Sequence, residues 1–114
     1  MTPPPHREPQ RGLVVELDGR PRRIADPRAR PIDGLAPVTP VPLAPALLVG
    51  LAQLDGEVLP VLRPCQDTLT RILVHTVLGR VILQCGRVLP DHIAGVEPLD
   101  VDALVEGLRH KVRG

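Results

Sequence analysis

The 114-residue chain contains no phenylalanine, tyrosine or tryptophan. Its interior must therefore be aliphatic, and Val, Leu and Ile fill every apolar run, as β-branched and leucine side chains can in a small barrel. The same absence removes the rigid rings on which bases stack or aromatic interface anchors depend. Serine is missing as well, and the threonines Thr2, Thr39, Thr68, Thr70 and Thr76 stand in no catalytic motif. There is one lysine, Lys111, against thirteen arginines, and the net charge is only +1 with both signs interleaved. That balance leaves no electrostatic footprint for nucleic acid or an anionic membrane surface. The densest basic stretch, Arg20, Arg22, Arg23, Arg28 and Arg30, is diluted by Asp18, Asp26 and Asp33 and reads as a solvated hairpin and loop. No apolar run approaches the length of a membrane span. No Gly-rich loop opens a helix, which leaves nucleotide binding without support.

The two cysteines, Cys65 and Cys85, lack C-x-x-C spacing and read as small reduced hydrophobes. A zinc set of Cys65, His75, Cys85 and His92 matches no metal template, so no metal is expected. Asp55 and Glu57 flank a tight turn, where solvent leaves a carboxylate pair unfit for acid–base work. His75 reads as a packing residue within a strand, and His92 as a strand end. No catalytic residue and no cofactor are assigned.

The residues present carry more signal. Fifteen prolines are concentrated towards the first half. Residues 1–11, MTPPPHREPQR, have no signal-peptide core and read as a disordered Pro-rich tail, with a single domain over residues 12–114. A strand is expected over 12–18, a turn at Asp18-Gly19, and a weak return strand over 21–25, whose Arg22 and Arg23 argue against a buried face. Residues 27–45 are too proline-rich for central strands and should wrap the surface. In PALLVGLAQLDGEVLPV, residues 45–61, an apolar turn ends at Gly50, and two strands flank an Asp55-Gly56 reversal. Asp-Gly between apolar runs is the strongest short-range hairpin signal, because a primed turn needs positive φ at both central residues. A break or helical turn over 64–70 precedes two apolar strands, 71–78 and 80–85, around Gly79. A further short strand within 88–96 is broken by Pro90, and the chain turns at Pro98. The last segment, 100–111, is a helix: Val101, Leu104, Val105, Leu108 and Val112 share one face, Asp100 caps it, and Arg109, His110 and Lys111 favour its C-terminal dipole. Gly107 inside it costs about 1 kcal/mol relative to Ala.

The segment 45–61 resembles the signature of CheW-like coupling domains of bacterial chemosensory systems. That signature has a Pro, a Gly five positions on, and then n-L-R-G-x-v-L-P-V before an acidic D-L. Pro45, Gly50, Leu54, Gly56, Leu59, Pro60 and Val61 fall in register with it. Pro40-Val41-Pro42-Leu43-Ala44-Pro45 matches the preceding p-l-P-x-a-P. The stretch from Leu99 to Val105 matches the family's closing L-D-x-x-x-L-L. Asp55 replaces the usual Arg, Leu62-Arg63-Pro64 replaces the acidic D-L, and several late strands are missing.

The resemblance implies a mainly β fold: an abbreviated CheW-like, SH3-like barrel domain with a reduced second half and a C-terminal helix. It implies a cytoplasmic, non-catalytic adaptor or scaffold for chemotaxis-type two-component signalling. The partner would be the cytoplasmic tip of a methyl-accepting chemoreceptor, with binding to a CheA-like histidine kinase weakened or lost. Val41, Leu43, Leu47, Val49 and Leu51 would line the receptor groove, although each is an aliphatic residue that core packing alone would explain. Pro45, Gly50, Gly56, Pro60 and Val61 would be structural. Strands 71–85 read as buried sheet, yet the lost late strands should leave unpaired edges that favour a homodimer through this region. The alternative is a small β interaction domain unrelated to chemosensing.

Overall fold

The computed structural model describes residues 12–33, 37–90 and 92–113, with side chains up to Leu108. The expectation for residues 1–11, and that for the cationic side chains of the last helical turn, lie outside these.

In chain order the elements are β1 (Leu13–Leu17), β2 (Arg20–Ile24), β3 (Arg30–Pro31), β4 (Leu48–Leu54), β5 (Glu57–Leu62), β6 (Thr70–Thr76), β7 (Gly79–Cys85), β8 (Val88–Leu89), β9 (Glu97–Leu99) and α1 (Val101–Arg113). They form a four-stranded sheet, β8-β1-β2-β9, and a five-stranded sheet, β3-β6-β7-β5-β4. Both short hairpins close as the Asp-Gly pairs predict. Asp18 and Gly19 have φ of 51° and 83°, and Asp55 and Gly56 have φ of 53° and 82°. Positive φ at both central residues is the type I′ pattern, whose twist matches that of the flanking strands.

The five-stranded sheet is apolar on both faces, which explains its near-continuous aliphatic runs. One face carries Leu62, Ile72, Val74, Val81, Leu83 and Cys85. It packs against Val15, Leu17 and Ile24 of the smaller sheet and against Val101, Val105 and Leu108 of α1. The other face gathers Ala52, Leu59, Val61, Leu73 and Ile82 into a second core, flanked by Ile32, Val38 and Val49. Each fully buried aliphatic side chain contributes about 1.5–3 kcal/mol, so the two cores hold the fold without aromatics.

Four expectations need correction. Gly50 lies within β4 instead of ending a turn. A Cβ there would stand 2.3 Å from the Thr39 carbonyl oxygen, so glycine is required by the close approach of the preceding segment. Among the described residues of 88–96 only Val88–Leu89 forms a strand, whereas Glu97–Leu99 forms another that the turn expected at Pro98 had hidden. Pro98 is tolerated because β9 is the sheet's edge, paired in parallel with β2 alone. The arginines of β2 do not prevent a buried face: Val15, opposite Arg22, is fully buried. Arg22 lays its half-buried stem along the sheet and donates from Nη2 to the Pro98 carbonyl at 2.9 Å. Finally, β6 and β7 are not free edges. β7 pairs with β6 and, in parallel, with β5, while β3 begins the cover of β6. Strand exchange through 71–85 has no open ladder there.

Candidate docking surface

The segment before β4 is fastened at two points. Thr39 and Leu51 exchange backbone hydrogen bonds of 2.8 and 2.9 Å, and the Leu47 carbonyl accepts the Arg63 amide at 2.7 Å. Between them the chain bulges outwards. Ala44 N–H donates to the Val41 carbonyl at 3.3 Å, closing a turn with Pro42 second and Leu43 third. Leu43 has φ of 62° and is fully exposed. Pro at the second position and positive φ at the third define a type II turn, whose third position ordinarily takes glycine.

Beyond this turn, Pro45 and Leu47 face Ala103, Leu104, Gly107 and Leu108 of α1 across an apolar cavity of about 200 Å³. Leu47 and Leu104 also lean on the first core. Among the described residues, nothing lies within 4 Å of where a Gly107 Cβ would be.

The five residues assigned to a groove therefore do not share one wall. Leu47 lines the cavity and Leu43 stands two residues from its Pro45 rim. Val41 is half-buried in the turn. Val49 turns into the second core, because the ladder slips between Leu48 and Gly50. Leu51 points outwards opposite Pro60, beside exposed Val58, which is paired with Gln53. Of the signature residues, Pro45 rims the cavity, Gly50 admits Thr39, Gly56 makes the turn, Pro60 pairs with Leu51, and Val61 is fully buried. The α1 wall was missed, since its residues read only as core; the sole hint was Gly107, a poor helix former with no capping role.

A second cavity, about 340 Å³, opens at the seam between the sheets and is lined by Ile24, Asp26, His75, Leu99 and Asp102 among others. Its polar groups are committed to one another. Asp26 accepts the Arg28 amide at 2.9 Å, the His75 amide at 2.7 Å and the His75 Nδ1 at 2.9 Å. Asp102 accepts the Val77 amide at 2.9 Å. Asp26 thus caps the His75 amide of β6 that β3 is too short to reach, and Asp102 caps the Val77 amide in the turn after β6. Burial alone would raise the Asp26 carboxyl, but the amides of His75 and Arg28 and the His75 ring outweigh it and hold the carboxyl below its ordinary 3.8.

The imagined zinc set does not assemble. Cys65 and Cys85 are inside the first core, His75 is held by Asp26, and His92 is exposed. Burial pushes the Cys85 thiol up to about 12 and raises Cys65 as well, which makes both poor nucleophiles and poor ligands. Among the described residues, Asp18, Cys65 and Asp67 do converge within 4.8 Å of one another. Their carboxylates are engaged by backbone: Asp67 accepts the Asp18 amide at 2.9 Å, and Asp18 accepts the Gln66 amide at 3.2 Å.

No protein-family model and no curated protein match the chain. Among solved structures it is similar to the scaffolding protein TtCheW from Thermoanaerobacter tengcongensis, with a TM-score of 0.58 and 17% sequence identity. The fold is CheW-like. The likeness covers 72% of this chain and 65% of TtCheW, so just under two-thirds of the larger CheW protein is represented. As the motifs imply, the architecture is a small, mainly β CheW-like domain with one C-terminal helix. No described helix is long and apolar enough to cross a membrane.

Proposed function

We propose that this chain is a non-catalytic adaptor of a bacterial chemosensory array, working in the cytoplasm on the signalling tip of a chemoreceptor. The observation that carries the reading is the pairing of a CheW-like fold with an apolar cavity between Leu47 and α1. An amphipathic helix or helical hairpin can bury its apolar stripe in such a groove while its polar face remains in water. The resemblance supplies the receptor as that helical partner, and neither cofactor nor metal enters the reading.

Coupling to a CheA-like kinase is weakened. Where the signature continues into an acidic D-L, this chain has Leu62, fully buried, then exposed Arg63 and half-buried Pro64. The charge at that point is reversed, and like charges across an interface suppress association. In its size and reduced second half the chain resembles FrzB, an accessory homologue in the Frz chemosensory system.

A two-way binding assay tests the reading, with the full chain titrated against a receptor cytoplasmic fragment and against the kinase's CheW-like domain. The expected result is micromolar or tighter receptor binding and weak kinase binding. Leu47→Asp should abolish the receptor contact. Val49 is a poorer probe, since it packs against the second core and a charge there would also cost stability. Strong kinase binding without receptor binding overturns the proposal, and binding to neither assigns the chain to an interaction domain outside chemosensing.

A further inference from the structure

The seam cavity, about 340 Å³, takes its walls from three parts of the fold: the end of β2, the end of β6, and the passage from β9 into α1. Its charge is one-sided. Asp26, Asp100 and Asp102 face it against His75, and Arg28 approaches Asp26 from outside at 3.9 Å. Among the described residues no lysine or arginine lines it. Asp100 and Asp102 each give Oδ1 to a backbone amide, of Ala103 and Val77, and each Oδ2 has no partner among the described residues. Beside these carboxylates stands an apolar wall of Val74, Leu99 and Val101.

Gly12 delivers the preceding residues to the mouth of this cavity. A Cβ on Gly12 would stand 1.8 Å from the Ile24 carbonyl oxygen and 3.1 Å from the Asp26 nitrogen, and its φ is 123°. Only glycine allows the chain to press so closely on two residues that wall the cavity. Leu13 is opposite Ile24 in the antiparallel β1–β2 ladder, so the register counted back from Leu13 leads past Ala25 to Asp26. We infer that residues 7–11, Arg-Glu-Pro-Gln-Arg, fold back across the seam cavity and strap β2, β6 and α1 together. Two arginines against one glutamate complement the cavity's excess of carboxylates. Guanidinium groups make charge-assisted hydrogen bonds to such oxygens, and Pro9 can lie on the apolar wall. Five extended residues span roughly 15 Å, and proline, with φ already fixed, lowers the cost of ordering them. The strap stands apart from the adaptor reading and does not depend on it.

Backbone relaxation by nuclear magnetic resonance on the full chain tests it. Order parameters at the Arg7 and Glu8 amides should be about 0.8, close to rigid backbone, where a free tail gives less than about 0.6. The Pro9 ring should show Overhauser contacts to the Leu99 and Val101 methyls. In the Arg7→Gln, Arg11→Gln double variant, or at about 0.5 M salt where exposed charges are screened, order at Glu8 should fall to the free-tail value while the sheet amides keep their shifts. Arg63→Gln, at an exposed cation outside the cavity lining, should leave the tail ordered. Free-tail values at Arg7 and Glu8 in the unsubstituted chain would overturn the strap. So would an ordered tail whose Pro9 contacts fall on methyls outside the cavity, or one that keeps its order in the double variant.

Discussion

Gly50 shows how much one missing methyl group decides. The Thr39 carbonyl and the Val38 side chain crowd the place of its Cβ, at 2.3 and 2.8 Å. The Thr39–Leu51 backbone pair forms only because that space is empty. Gly50→Ala should therefore cost about 2–3 kcal/mol in urea unfolding, the range for overpacking, and should lift the 37–44 segment from β4. Asp26 sets a second residue-scale expectation. Its folded pKa lies below 3.8, so its contribution is present above the unfolded value and is lost as pH falls through the folded one. Stability measured between about pH 5 and pH 2 should decline more steeply in the unsubstituted protein than in Asp26→Asn, where that proton linkage is absent. A parallel decline in the two would contradict this.

At the scale of elements, the sequence was legible wherever a local rule had no competitor. The Asp-Gly turns, the β4–β5 hairpin, the β6–β7 pair and α1 all follow from turn chemistry and apolar spacing. Asp100 caps α1 as expected, accepting the Ala103 amide at 3.0 Å. Asp100→Ala should cost about 1 kcal/mol of stability, read from the thermal midpoint. What escaped depended on contacts distant in sequence. β9 has only three residues, one of them proline, and exists because β2 offers it an edge. The apolar cavity beside Leu47 has one wall in the segment that the resemblance singles out, and an opposite wall of helix residues whose apolar spacing does not distinguish core from rim. Val49 was misassigned because a bulge rotates it inwards, and bulges leave little trace in an alternation pattern.

Over the whole molecule, the two flanks of the five-stranded sheet are guarded differently. β6 is shielded by β3 for two residues and then at His75 by the carboxylate of Asp26, while Asp102 caps the turn that follows. Among the described residues, β4 is shielded by Thr39 alone. Few ladder positions of β6 are thus left open to strand pairing. In sedimentation the chain without a partner should remain monomeric at tens of micromolar, the reverse of the dimer that an open β6–β7 edge would favour.

The parallel pairing of β2 with β9 carries a consequence in time. Arg22 and Pro98 are 76 positions apart, and β1 likewise waits for β8 at Val88–Leu89. A nascent chain leaving the ribosome therefore holds β1 and β2 without their outer neighbours until nearly all of it has emerged. The β4–β5 and β6–β7 hairpins can form early, whereas the first core closes last, when α1 arrives as its lid. Such a topology places much of the entropy of loop closure ahead of its reward. Refolding from urea should accordingly be slow for so small a protein, on the order of milliseconds to seconds. Removing α1 should leave a chain that collapses but never seals.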